Sequence, residues 1–315
     1  MKTMILDNKC KPVHARGGRG RTAALLGGLV LALTLPGTGL RAQVPDISKA
    51  ALLSWPEPTE EQIVVGATNL VPGAVWTPWP EPIFKRFGQM CMTVPTTASQ
   101  QFFKLMPGRQ FSDDFSEKWG PFTNRNSYKD WFKDPGEAWI VTNGVLQLTG
   151  ITDSILVLAP LGTNAAAYLG DFYVSVDLLD WVSGGTNSSA FWLGGRCEKL
   201  GDYYGVGYFG GLTLNADGIP GRSGLWINNN DTITLGPHFD MQQNPLPYRI
   251  QFSGVGTNLS LRLLNLTNGQ LIQEVNANDS TLTNGWVALG IEGWPGLVYR
   301  FTFTVDNFLA TGTKP

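Results

Sequence analysis

The sequence predicts an all-β sandwich, and three observations predict it. Short runs in the second two-thirds of the chain alternate apolar and polar residues with the period of a strand. Turn dipeptides that tolerate positive φ separate those runs: Asn143-Gly144, Ala216-Asp217-Gly218, Asn268-Gly269 and Asn284-Gly285. Phe111-Ser112-Asp113-Asp114-Phe115 and Thr304-Val305-Asp306-Asn307-Phe308 bracket the whole region, so that its first and last strands can meet. Apolar residues at helical spacing are scarce; only Ile47 to Leu53 offers a short helical turn. Many short strands joined by such turns make a sandwich or a jelly roll.

The 315 residues accommodate one or two domains. Residues 1–42 read as a secretory signal peptide outside the fold. Lys2, Lys9, Lys11, Arg16, Arg19 and Arg21 form a basic start, and Ala23 to Leu35 is an apolar run of thirteen residues, broken by Pro36 and Gly37. The alternative, a retained anchor, needs about 20 apolar residues to span a bilayer. Ala42 is the expected last residue before cleavage, with Leu40 larger than the usual residue two places earlier. The expected address is secreted, periplasmic or extracellular, with no membrane span in the mature chain. The leader carries seven of the 23 Lys and Arg and one of the 25 Asp and Glu, which leaves a mature net charge of −8. An acidic product with scattered cations argues against nucleic acid or anionic lipid as partners.

Residues 43–107 form a first small β module. Ala51 to Trp55, Gln62 to Ala67, Ala74 to Trp79, Gln89 to Val94 and Gln100 to Leu105 read as extended runs with prolines at their ends, where a missing N–H costs least. Leu53-Ser54-Trp55-Pro56, Ala67-Thr68-Asn69-Leu70, Trp76-Thr77-Pro78, Thr93-Val94-Pro95-Thr96-Thr97 and Gln101-Phe102-Phe103-Lys104-Leu105 give it a resemblance to fibronectin-type-III-like or immunoglobulin-like modules. The resemblance implies architecture and no activity.

Met106 to Gln110 is expected to be a hinge centred on Pro107 and Gly108, and residues 108–315 form the second module. In Asp171 to Leu179, Phe172, Val174, Val176 and Leu178 share one face and Tyr173, Ser175, Asp177 and Leu179 the other. Tyr248, Ile250 and Phe252 alternate with Arg249 and Gln251; Leu259, Leu261 and Leu263 share a face; Tyr299, Phe301, Phe303 and Val305 point inward from Val298 to Phe308. Several segments carry a resemblance here, beginning with Phe111 to Phe115, Asn143-Gly144-Val145-Leu146-Gln147-Leu148 and Val176-Asp177-Leu178-Leu179-Asp180-Trp181. It continues through Ala190-Phe191-Trp192-Leu193-Gly194-Gly195-Arg196, Tyr248 to Phe252, Leu261 to Leu266 and Val305 to Phe308. The module resembles the concanavalin A-like lectin/glucanase superfamily, in particular the LamG-like domains of secreted bacterial proteins. That implies a concanavalin A-like jelly-roll sandwich, a fold that hosts lectins, adhesion domains and glucanases alike.

Glucanases of this fold use two carboxylates flanking the scissile bond. The Glu-x-Asp-x-x-Glu pattern of the laminarinase type is absent. Asp177 and Asp180 are three apart and point to opposite faces of a regular strand, so no catalytic residue is assigned. His238, the one mature histidine, is expected in a loop, and no Gly-x-Ser-x-Gly elbow is present. Gly205, Gly207, Gly210 and Gly211 lack the context of a phosphate loop and read as packing positions.

Trp192 and Trp226 alternate away from apolar neighbours, and Tyr173 and Asp177 share a polar face. With Arg196 they form the expected ligand-binding set, the rings stacking on sugars and the polar groups bonding hydroxyls. The competing expectation is that both tryptophans fill a second layer of core. The resemblance further implies a structural Ca²⁺ where first and last strands pair, with Asp113, Asp114 and Asp306 as ligands. Cys91 and Cys197 fall in different modules and are expected as separate buried thiols. The sequons at Asn187, Asn230, Asn258, Asn265 and Asn278 bear only on a eukaryotic secretory route. The expected function is non-catalytic binding of a polysaccharide or cell-surface glycan. The alternatives are a glycan-processing hydrolase and a purely structural surface or matrix component.

Overall fold

Alternation of side chains along each strand builds two antiparallel sheets that stack on a shared apolar core. The computed structural model describes residues 4–5, 50–95, 101–115, 132–133, 138–151, 155–159, 168–183, 188–199, 206–229, 232–293 and 300–315.

The larger sheet runs in the order β19 (Leu271–Asn278), β18 (Asn258–Asn265), β17 (Tyr248–Val255), β12 (Phe172–Ser183), β21 (Arg300–Thr313), β7 (Phe102–Asp113), β3 (Gln62–Ala67), β4 (Thr77–Pro78). Also in it, β10 (Val145–Ile151) pairs with β21 and with β9 (Ala138–Thr142), and β1 (Met4–Ile5) pairs with β7. The second sheet has the order β16 (Ile233–Asp240), β15 (Arg222–Asn229), β14 (Val206–Leu214), β13 (Ser189–Lys199), β20 (Trp286–Gly293), β11 (Ile155–Ala159), β8 (Phe132–Lys133). A third, small sheet joins β2 (Ala50–Pro56), β6 (Gln89–Pro95) and β5 (Phe84–Arg86). The chain is therefore all-β among the described residues, apart from a 3₁₀ turn at Ala216–Gly218. The layout is consistent with a concanavalin A-like jelly roll.

The core lies between the two large sheets. Phe172, Val174, Val176 and Leu178 of β12, with Tyr248, Ile250 and Phe252 of β17, face Phe191 and Leu193 of β13 and Leu289 and Ile291 of β20. Each large apolar side chain buried this way contributes about 1.5–3 kcal/mol, which is what holds the sheets face to face. A separate small core of Leu53, Trp55, Val64, Met92, Val94 and Phe103 packs the third sheet against β3 and β7. Cys91 and Cys197 are both buried and free.

Three expectations are corrected. No hinge interrupts residues 106–110: β7 runs unbroken through Pro107 and Gly108. Residues 102–107 pair with β3 and residues 108–113 with β21, so one strand serves both neighbours in turn. Pro107 is tolerated because its missing donor is not needed; its carbonyl accepts from the Lys314 amide at 3.1 Å. Gly108 is required for closeness rather than flexibility, since a Cβ there would meet the Gly312 carbonyl oxygen at 2.5 Å and Ile63 Cγ1 at 2.6 Å. The run expected over Ala74 to Trp79 shortens to Thr77–Pro78. Residues 50–53 belong to β2 and not to a helical turn, residues 47–49 lying outside the described set. The Asn143-Gly144 turn does join β9 to β10, with Thr142 opposite Val145 and Asn143 at φ 53°.

Candidate functional site

Residues that alternate away from the core on the second sheet line up across its strands. Val287, Leu289 and Ile291 of β20 enter the central core, which turns Trp286, Ala288 and Glu292 to the other face. On β13, Ala190 and Trp192 point that way; on β14, Phe209, Gly211 and Thr213; on β15, Gly224 and Trp226. Register then fixes two neighbouring rows. One is Gly290, Trp192, Gly211, Trp226. The other is Glu292, Ala190, Thr213, Gly224, His238. The rows are about 6.6 Å apart, and the second crosses five strands, about 19 Å.

The first row is a wall and the second a floor. Glycines flank each indole: the Trp226 ring lies over Gly211, where a Cβ would meet ring atom Cζ2 at 2.1 Å. Trp226 Nε1 donates to Thr213 Oγ1 at 3.0 Å, and the Trp192 ring stands edge-on to Phe209 with centroids 5.2 Å apart. The floor carries small side chains between a carboxyl at one end and an imidazole at the other. At the imidazole end, His238 Nε2 lies 3.8 Å from Asp217 Oδ2, which Arg222 Nη1 approaches at 3.1 Å. Only the β16 edge of the floor is open: Glu292 is 8% and Ala190 0% exposed, whereas the His238 side chain is 41% exposed.

Glu292 is the chemically unusual member. Its Oε2 is buried with no hydrogen-bond partner. Burial pushes its carboxyl up to about 7. Such a buried, unmet acceptor costs free energy in the unliganded chain. Sequence reasoning passed over this residue. The available signal was an acid set alone in the apolar strand Trp286–Gly293.

The five expected ligand-binding residues do not converge. Trp192 and Trp226 do turn away from the core as alternation requires, but they are 0% and 6% exposed and pack with Ala190, Cys197, Phe209, Trp286 and Ala288 as a second apolar layer. They are therefore walls of a covered face and not open stacking platforms. Arg196 is a clamp. Nε donates to the Gly170 carbonyl at 3.0 Å, Nη1 to Gly256 and Leu282 carbonyls at 2.7 and 3.0 Å, and Nη2 to Asp171 Oδ1 at 3.2 Å. It is 3% exposed and holds loops together, so it does not reach a ligand's hydroxyls. Tyr173 and Asp177 lie on the other large sheet, on the face opposite the core, and both are buried. Burial pushes the Tyr173 phenol up to about 12.

Asp113, Asp114 and Asp306 do gather where β7 meets β21, with Asp113 opposite Phe308. Burial first, and then repulsion from Asp177, Asp114 and Asp113, raises the Asp306 carboxyl above its usual range. Two of the three turn an oxygen to a local amide, however: Asp113 Oδ1 accepts from Phe115 N at 2.8 Å and Asp306 Oδ1 from Asn307 N at 2.7 Å. Among the described residues no group of three or more His, Cys, Asp or Glu side chains is placed to hold a metal ion, so these three do not form the expected calcium ligand set. His238 lies on β16 and not in a loop. Asp180 is exposed within β12 and accepts from the Trp181 amide at 2.8 Å.

No family model and no curated protein matches the chain. Among solved structures it is similar to the carbohydrate binding module CBM66 from Bacillus subtilis, at 16% identity and a TM-score of 0.35, covering 59% of this chain and 94% of that one. It is similar to LamAcat from Zobellia galactanivorans at 12% identity and a TM-score of 0.43, covering 64% and 96%. It is similar to lectin II from Ulex europaeus at 12% identity and a TM-score of 0.41, covering 65% and 98%.

Proposed function

We propose that the protein is an exported, non-catalytic binder of carbohydrate, and that the ligand lies along the floor from His238 to Glu292. The observation that carries this reading is the buried Oε2 of Glu292, an acceptor with no partner beside a wall of indoles. A polyhydroxylated ligand offers an O–H donor for that oxygen. The polar groups at the open end, His238, Arg222 and Asp217, suit the remaining hydroxyls. Export rests on the basic start and apolar run of residues 1–42. The modules are taken as 43–107 and 108–315, since β7 changes partner between Pro107 and Gly108; their kinship is read as fibronectin-like and LamG-like.

Hydrolysis is the second reading, favoured by the raised carboxyl of Glu292, which suits a general acid. Among the described residues it lacks a second carboxylate in place. Asp177, the other buried acid among the described residues, is on the opposite sheet and bound by Arg249.

Tryptophan fluorescence of the mature chain titrated with a glycan panel tests the proposal. A saturable change for at least one oligosaccharide, weakened tenfold or more in Glu292→Ala, is expected. Saturation that is indifferent to Glu292→Ala, or reducing ends released by the wild type and not by Glu292→Gln, would sink it.

A further inference from the structure

Strand β16 ends the second sheet, and among the described residues no strand pairs with its far side. The hairpin that joins it to β15 sets which of its backbone groups point there. Asn229 N donates to the Thr232 carbonyl at 3.1 Å, which makes Asn229 and Thr232 a hydrogen-bonded pair. Pairs alternate along an antiparallel ladder. Thr234 therefore bonds toward Ile227, while Ile233 and Leu235, opposite Asn228 and Trp226, turn their N–H and C=O groups outward. The side chains of the same two residues are 58% and 73% exposed, on the face where Trp226 lies in the second apolar layer. Leu235 thus carries that layer past the covered indoles to the open edge. Edges of this kind are usually blunted by charge. β19, at the neighbouring edge of the larger sheet, carries Gln273, Glu274, Asn276 and Asn278. From Ile233 to Pro237, β16 carries no charge.

We propose that β16 is a dimer edge: a second copy of this chain pairs with it antiparallel, about a two-fold axis at Thr234. Ile233 then stands opposite the second copy's Leu235, and Leu235 opposite its Ile233. These are the residues whose backbone groups point outward, so each pair exchanges both of its N–H···O bonds. The same register sets an exposed isoleucine across from an exposed leucine on either side of the axis, which buries the apolar strip against itself. A copy one residue out of register meets groups already turned toward β15 and loses these bonds. Self-pairing also suits an acidic chain here, because the strip has no charge with which to repel its copy. Gly236 and Pro237 stand together against Leu225, a bulge that ends the strip, and Pro237 has no N–H with which to continue a ladder. The contact is isologous, so it closes as a dimer and does not propagate. It is also small, which makes the dimer reversible, with a Kd on the order of 10–100 μM. This inference stands apart from the carbohydrate reading and does not depend on it.

Sedimentation equilibrium of the mature chain tests the proposal. The dimer fraction is expected to rise across a concentration range of about 10–500 μM. Leu235→Lys should raise the Kd about tenfold or more and leave the melting temperature unchanged, since the side chain it replaces is mostly exposed. Thr234→Cys under mild oxidation should give a disulfide-linked dimer. Thr234 meets its own copy as a non-hydrogen-bonded pair, with Cα atoms about 4.5 Å apart and within disulfide reach. Cys91 and Cys197 are buried and do not compete. Asn276→Cys, at an exposed position on β19, should stay unlinked. A monomer at every concentration, a dimer that persists in Leu235→Lys, or a Thr234→Cys chain that links no more readily than Asn276→Cys overturns the proposal.

Discussion

The Asp177 carboxylate is held at both oxygens by Arg249, Oδ1 accepting from Nε at 2.6 Å and Oδ2 from Nη2 at 2.8 Å, with Asn307 Nδ2 adding a third contact to Oδ2 at 3.0 Å. The pair ties β12 to β17, and Asn307 brings in β21, on the outer face of the larger sheet. A face that looked in sequence like a ligand surface is in this way closed on itself. Asp177→Ala should destabilise the fold by about 2–4 kcal/mol in urea unfolding, since it removes one partner of a largely desolvated pair; the partly exposed Arg249 moderates the loss. Glycan affinity, measured under native conditions, should not change.

Arg196→Lys should cost about 2–4 kcal/mol by the same measurement. A lysine keeps the charge and loses the planar fork that reaches the Gly170, Gly256 and Leu282 carbonyls together. A melt unchanged from wild type would show that the three loops hold without the clamp.

Trp192→Ala should lower stability by about 3–5 kcal/mol, because the ring is fully buried and edge-packed on Phe209. An exposed stacking ring would lose affinity and leave the melting point alone. Differential scanning calorimetry alongside a binding titration separates the two outcomes.

Glu292 sets a pH dependence. Its carboxyl is raised from 4.5 to about 7 in the folded chain, so between those values the native state holds a proton that the unfolded state has released. Stability contributed by the protonated form is therefore complete below about 4.5 and falls as pH rises toward about 7, by about 3 kcal/mol in all. Glu292→Gln should flatten that part of the stability profile. A wild-type profile that rises with pH over the same window contradicts the assignment.

Gly108→Ala should cost about 1–3 kcal/mol by forcing a Cβ against the Gly312 carbonyl and Ile63. If residues 106–110 flexed as a hinge, the same change would be neutral in thermal unfolding.

Period-two alternation is a local property, and it determined a good deal. It assigned Phe172, Val174, Val176 and Leu178 to one face of β12, and it turned Trp192 and Trp226 away from Phe191 and Leu225. Asn143-Gly144 marked its turn because few other dipeptides accept the required φ. What alternation does not carry is what lies on the far side of a face. Whether Trp192 meets water or Phe209 depends on a strand some seventeen residues on; whether Arg196 meets a sugar or the Leu282 carbonyl depends on a loop eighty-six residues on. Pro107-Gly108 reads as a hinge from local chemistry alone, and only the approach of Gly312 and Ile63 makes it a strand. Glu292 was one acid among many until register set it beside Ala190 and burial closed around it, and that burial is a tertiary fact: desolvation is the sum of what every neighbouring strand excludes.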